Sequence, residues 1–361
     1  MPPPVASFGK RPSKGVPAAN DGYTESKGDC VRVDFHTHFI ASQFPDMGEK
    51  YGGKGWPTLV HDGPCDADIY YAGKHYRRID ERSWDSERRL RDMDAEGIDV
   101  QVISPIPVTF GYRFSPEAVL ELAQMQNEEI ARAVAVAPQR FIGLGTVPLQ
   151  DTERAAIEVR RAVRDLGLAG VEIGTNVQGK NLDDEGLEPF WRACVEVGAA
   201  VFVHPASVLA PERTEKYRMA YSIGYTTETG IAAASVIMSG LLDRYPELRL
   251  CFAHGGGTLP WLLPRLDQTW YTFEEVRATI ASRPSEMAQR LTYDTLTYDT
   301  MNLHLLIERL GVERLVMGSD YPFPLRETPA GKVIDDLVGV SLEQRENMLG
   351  RNALRFLDHI H

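Results

Sequence analysis

Residues 31–38 read VRVDFHTH, residues 200–205 AVFVHP, residues 249–257 RLCFAHGGG and residues 315–322 LVMGSDYP. Each is a short apolar run that ends abruptly on a histidine or an aspartate. Runs of four to eight Val, Ile, Leu and Phe residues without alternation suit strands covered on both faces. Four further runs, Val100–Pro105, Phe141–Val147, Gly170–Gly174 and Leu291–Asp294, have the same character. Together with Val31–His36, Ala200–His204, Leu248–His254 and Leu315–Ser319 they predict eight strands. Helical patterns separate them, at Asp85–Glu96, Glu117–Val134, Thr152–Leu166, Leu187–Val197, Gly230–Arg244, Leu259–Val276 and Asn302–Leu310, with Leu342–Leu357 closing the chain. Eight alternations of strand and helix predict an α/β chain folded as a (β/α)8 TIM barrel. No G-x-G-x-x-G follows the first strand, which removes support for a dinucleotide-binding open sheet.

In such a barrel the carboxyl ends of the strands converge on one face, where active sites are built. His36, His38, His204, His254 and Asp320 all stand at these ends. His36 and His38, two residues apart on one strand, share a face. Each residue singly has a simpler explanation: a strand-end histidine is commonly a hydrogen-bonded core residue, and Asp320 suits a helix cap. As a set they predict a metal site. Imidazoles with a carboxylate suit a borderline divalent ion such as zinc, with room for a bound water whose pKa falls toward neutrality. The fourth strand, Val171-Glu172-Ile173-Gly174, ends without the lysine that would bridge a second ion, so one metal is expected. His61, His75, His304, His359 and His361 lie away from strand ends and receive no metal.

About 45 residues, Phe39 to Ser83, separate the first strand from its helix. A connection of that length is usually functional. It is read here as a long loop over the active-site face, carrying Gly52-Gly53, Trp56 and the basic group Lys74, Arg77 and Arg78. Residues 1–29, rich in Pro, Gly, Ser and Lys, are read as an N-terminal arm, and residues 30–361 as a single barrel domain.

Composition narrows the class. The chain has 361 residues, 39 Lys plus Arg against 51 Asp plus Glu, and a formal charge of −12. That acidic balance argues against nucleic acid and against an anionic membrane surface as partners. No apolar run reaches the roughly 18–20 residues of a membrane span. Cys30, Cys65, Cys194 and Cys251 are scattered and form no C-x-x-C, which predicts reduced thiols in a cytoplasmic protein.

The H-x-H of the first strand, the HP of the fifth, HGGG of the sixth and GSDYPFP of the eighth resemble the amidohydrolase superfamily. Within it they are similar to the branch of the 2-amino-3-carboxymuconate-6-semialdehyde decarboxylases. WDSERRLRDMDAEGIDVQV, VTFGY, VPLQD, NLDDEGLEPFW, CFAHGGGTLPWLLPRLD and MGSDYPFPL extend the likeness, in order, over roughly residues 31–357. The resemblance implies that His36, His38, His204 and Asp320 bind one divalent metal, zinc in the first place and manganese as the alternative, with no organic cofactor. It implies that His254 and Asp320 serve catalysis, His254 as acid/base rather than ligand. Arg265 would reach into the neighbouring subunit's site and hold a substrate carboxylate, which implies a homodimer acting on a small carboxylate. Arg77, or alternatively Arg78, would hold a second carboxylate. The expected reaction is non-oxidative decarboxylation of an unsaturated or aromatic acid in the catabolism of aromatic compounds. Hydrolysis of a lactone or amide, or hydration of an unsaturated diacid, is the alternative on the same scaffold. Two departures bear on substrate rather than fold: Ala206 and Ser207 stand where the semialdehyde decarboxylases carry Trp after His-Pro, and the segment Ala206–Tyr225 differs in composition.

Overall fold

A computed structural model describes residues 30–358; the N-terminal arm expected over 1–29 lies outside the described residues, as do His359 and His361. The eight expected strands form one parallel sheet in chain order: Val33–Phe39, Val100–Pro105, Phe141–Gly145, Gly170–Gly174, Ala200–His204, Arg249–Phe252, Thr292–Asp294 and Leu315–Val316. The sheet curls until its first and last strands meet. Phe35 N–H donates to the Met317 carbonyl at 2.8 Å, His38 N–H to that of Tyr321 at 2.8 Å, and Thr37 bridges Tyr321 in parallel.

Two apolar layers follow from the side-chain alternation of each strand. Val33, Phe35, Val100, Val102, Leu144, Ala200, Phe202, Cys251, Ala253 and Val316 fill the barrel, closed below by Phe356 at the end of the last helix and Leu357 just after it. Phe35 meets Phe202 edge-on at 5.2 Å and Phe356 at 5.6 Å. The opposite faces, Val171, Ile173, Val201, Val203, Leu250 and Phe252 among them, pack under the surrounding helices. This floor of aromatic rings lies directly beneath the strand ends, and His36 sits 5.0 Å from the Phe202 ring.

Helix boundaries follow local chemistry. Ser86–Glu96 starts at Asp85, whose carboxylate accepts from Arg88 N–H, and stops at Gly97, left-handed at φ 69°. Three expected helices are interrupted. The fifth begins earlier, at Tyr225, runs to Met238 and resumes at Leu241–Arg244 after Gly240, which is left-handed at φ 73°. Leu259–Thr272 is followed by a separate Glu274–Thr279. The last helix, Leu342–Glu346 and Asn352–Phe356, carries a π turn at Asn347–Arg351.

The insertion after the first strand is not the loop expected from sequence. It holds a short helix, Met47–Tyr51, and a three-stranded antiparallel sheet, Thr58–His61, Asp66–Tyr71 and Lys74–Asp80. Ala72 and Gly73, both at positive φ, make the tight turn between the last two strands. Ala67, Ile69 and Ile79 of this sheet pack on Ile40, Ile106 and Phe323 at the carboxyl face of the barrel. Apolar anchorage makes the insertion part of the site wall.

Candidate metal centre and active site

A β-bulge sets the first strand's contribution. Val33 pairs with Val100 and Asp34 with Gln101, but the next pair is Thr37 with Ile103, so the strand gains one residue on its neighbour. Before the bulge Val33 and Phe35 face the barrel interior; after it His36 and His38 do. Thr37 faces outward, its hydroxyl donating to the Val102 carbonyl and accepting from the buried guanidinium of Arg89. Arg89 also donates to the His38 carbonyl at 2.7 Å, which clamps the bulged stretch. Gly318 makes room on the other side, since a Cβ there would stand 2.7 Å from that of His36. His204 needs no such device: Ala200, Phe202 and His204 alternate inward from a regular strand.

One ligand atom from each of His36, His38, His204 and Asp320 lies within 4.8 Å of every other. His36 Nε2 is 3.2 Å from His38 Nε2, and Asp320 Oδ1 is 3.1 Å from His38 Nε2 and 3.6 Å from His36 Nε2. The outer nitrogens are each spoken for. His36 Nδ1 bonds Asp294 Oδ2 at 2.7 Å, His38 Nδ1 the Pro105 carbonyl at 3.3 Å, and His204 Nδ1 the Pro205 carbonyl at 2.9 Å. Those partners accept hydrogen, so each ring carries its proton on Nδ1 and turns an Nε2 lone pair inward. His204 Nε2 is buried with no partner among the described residues. An orphaned acceptor beside two other imidazole lone pairs and a carboxylate fits a divalent cation of the zinc class.

The electrostatics agree with that donor set. Burial lowers His38 to about 4, and burial with three neighbouring imidazoles lowers His204 well below the usual range, so both are neutral donors at neutral pH. Burial also acts against a charged His36, but its bond to Asp294 wins and raises it. Burial pushes the Asp320 carboxyl up, while the bond to His38 and the nearby imidazoles hold it below its ordinary value.

Two of the groups stand on left-handed backbone that non-glycine residues rarely adopt: His254 at φ 56° and Asp320 at φ 67°. Strand-closing bonds impose the second, with Asp320 N–H on the His36 carbonyl at 2.8 Å. His254 follows the sixth strand in a single turn, its ring 5.0 Å from that of His204 and 5.3 Å from that of His36. It borders the four-residue cluster without joining it, and its buried Nδ1 has no partner among the described residues. Burial, then the charge of His36, lowers its pKa.

Arg77 and Arg78 part company on the third strand of the insertion. Arg78 lies opposite Asp68 and is bound to Asp68 and Asp62 at 3.0 Å each on the exposed side. Arg77 lies opposite the buried Ile69, with its guanidinium 3.8 Å from the centre of the Phe323 ring and 5.4 and 5.5 Å from Tyr221 and Tyr76. Phe323 in turn stacks on His38 at 4.9 Å. One aromatic ring therefore separates the guanidinium from a strand-end histidine. Arg77 Nη1 is buried without a partner among the described residues. Arg265 is not brought to this cluster. It lies exposed on Leu259–Thr272, where Trp261 is 77% exposed, and Asp267 beside it is engaged by Ser285 instead.

Sequence reasoning missed two buried acids. Asp294, the last residue of the seventh strand, holds His36. Glu172, inside the fourth strand, is fully buried with its Oε1 3.9 Å from His38 Nδ1, and burial, then the charge of Asp320, pushes its carboxyl well up. An acid ending or interrupting an apolar strand was the available signal; its partners come from distant strands.

Comparison with known proteins agrees with this geometry. The amidohydrolase family profile matches residues 33–358. The 2-amino-3-carboxymuconate-6-semialdehyde decarboxylase of Dictyostelium discoideum is 39% identical over 328 residues, covering 91% of each chain. That of Caenorhabditis elegans is 30% identical over 378 residues, covering 91% of this chain and 94% of its own. The crystal structure of 5-carboxyvanillate decarboxylase from Sphingomonas paucimobilis superposes with a TM-score of 0.75 at 26% identity, covering 91% of this chain and 99% of that one. On its barrel, its strand-end cluster and these matches, the chain belongs to the amidohydrolase family.

Proposed function

We propose that this chain is a metal-dependent, non-oxidative decarboxylase of an unsaturated or aromatic carboxylic acid, acting in the catabolism of aromatic compounds. The observation that carries the reading is the meeting of two complementary features at the strand ends. Three imidazoles and Asp320 turn ligand atoms to one point, and the Arg77 guanidinium, whose Nη1 has no partner among the described residues, stands one ring away. His36, His38, His204 and Asp320 would hold one divalent ion, zinc in the first place and manganese as the alternative. When bound, the ion supplies fixed positive charge and a water of lowered pKa. The named relatives are decarboxylases, which favours loss of carbon dioxide over hydrolysis or hydration on the same scaffold.

The chain's own residues account for the remaining demands. Decarboxylation breaks a carbon–carbon bond, leaves the electron pair on the substrate carbon and requires a proton there. His254, half-buried and with its pKa lowered, can take up a proton and return it to that carbon. Arg77 offers two N–H groups to a carboxylate, in an acidic protein that would otherwise repel one. Tyr76, Tyr221 and Phe323 wall the guanidinium with aromatic rings, which suit a flat conjugated substrate.

The test is zinc- or manganese-loaded protein incubated with a panel of aromatic and muconate-type acids, following carbon dioxide and product mass. Loss of one carbon dioxide unit, abolished by a chelator and restored by the ion, is the expected result. A gain of water, or opening of lactones or amides with no acid consumed, would move the chain to the hydrolase or hydratase reading.

Two finer proposals complete the picture. The solvent-facing side of Leu259–Thr272, with Trp261, Leu262 and an exposed Arg265, supports a homodimer in which Arg265 serves the neighbouring subunit's site. Arg265→Ala and His204→Ala are each expected to be inactive. Their mixture should regain about a quarter of the wild-type sites under statistical pairing of a two-fold dimer; no recovery would refute the shared site. A cytoplasmic location is supported by four free cysteines, and no helix of the described residues is long and apolar enough to cross a membrane.

A further inference from the structure

We propose that Asp294 is a positioning residue that ties metal ligation to the placement of His254 through a single carboxylate. The inference rests on the assignment of His36 as a metal ligand. Asp294 is fully buried, and all of its acceptor positions are used. Oδ2 accepts from His36 Nδ1 at 2.7 Å and from the backbone N–H of His254 at 2.9 Å. Oδ1 accepts from Gly255 N–H at 2.8 Å and from Leu296 N–H at 3.1 Å.

This carboxylate does two jobs, which share Oδ2. The bond to His36 fixes the proton on Nδ1, which leaves Nε2 as the ligating atom and orients the ring. The bonds to His254 and Gly255 hold two successive residues on left-handed backbone, φ 56° and 61°, and so place the His254 ring against His36 and His204. Together the two jobs need an acceptor on each oxygen. An amide accepts on one oxygen only and turns its NH2 toward groups that already donate. Asp294→Asn therefore cannot satisfy His36 and the His254–Gly255 turn together, although it keeps the size of the side chain.

The experiment compares Asp294→Asn with wild-type protein in three readouts. Zinc affinity, by competition with a chromophoric chelator, is expected to fall about 10–100-fold. The Nδ1-bound proton of His36, in spectra of 15N-histidine-labelled zinc protein assigned against His36→Gln, is expected to lose the low-field position that a carboxylate acceptor gives it. Amide exchange at Gly255 and Leu296 is expected to quicken. A purely structural role would lower the unfolding midpoint and leave the imidazole signal and zinc affinity of the folded variant unchanged, and that result overturns the proposal. Should the variant fail to fold, the wild-type spectrum still decides: a low-field Nδ1 proton on His36 is required, and its absence overturns the proposal. Wild-type protein that binds no zinc overturns the metal assignment and this inference together, whereas normal wild-type binding with an unaltered variant overturns this inference alone.

Discussion

His254→Ala is expected to keep the bound metal and lose about 10²–10⁴-fold in turnover, the range lost when a positioned acid/base is removed. The four ligand atoms meet without His254, whose ring stands 5.0 Å from His204 and 5.3 Å from His36 at the border of the cluster. Its backbone is held by Asp294, so truncating the imidazole leaves the turn bonded. Metal content per chain, measured beside carbon dioxide release, separates the outcomes. An empty variant would make His254 a ligand, and a loaded variant of undiminished turnover would remove it from catalysis. His254→Asn provides a second variant, because asparagine tolerates left-handed backbone better than most residues.

Arg77→Met is expected to cost about 10–100-fold in kcat/KM, the loss of a hydrogen bond to a charged group worth about 1.5–3 kcal/mol. Methionine keeps the stacked bulk on Phe323 and removes the donors. Arg78→Met is the control and is expected to leave kcat/KM unchanged, because its guanidinium is occupied by Asp62 and Asp68 on the outer face. Equal effects of the two substitutions, measured on any acid the enzyme decarboxylates, would refute the assignment of Arg77 to substrate binding.

The choice between these neighbours shows where local sequence stops. Lys74–Asp80 pairs regularly with Asp66–Tyr71 except near Ile69 and Tyr70, where a bulge admits Tyr76 as an extra residue. Beyond it the pairing is regular, so Arg77 shares a face with the buried Ile79 while Arg78 faces solvent. In one dimension Arg77 and Arg78 are two adjacent charges in a segment too polar to announce itself as a sheet, and the whole insertion read as loop.

The eight strands, their order and their parallel closure were legible from the sequence because apolar runs and cap residues act locally, within one element. The types of the strand-end residues were legible too, since carboxyl ends of parallel strands must converge on one face. Which way those residues point was not. Continued alternation from Val33 and Phe35 would have turned Thr37 inward and both His36 and His38 out toward the helices. One extra residue in the first strand, fixed by pairing with Val100–Pro105 and clamped by Arg89, reverses that parity. The orienting bond of His36 likewise comes from Asp294, 258 positions along the chain. The sequence by itself determined a barrel with the donors at its rim. The tertiary structure decided the side each donor faces and the acid that orients it, because bulges and buried hydrogen bonds are settled between segments that meet only when the sheet closes.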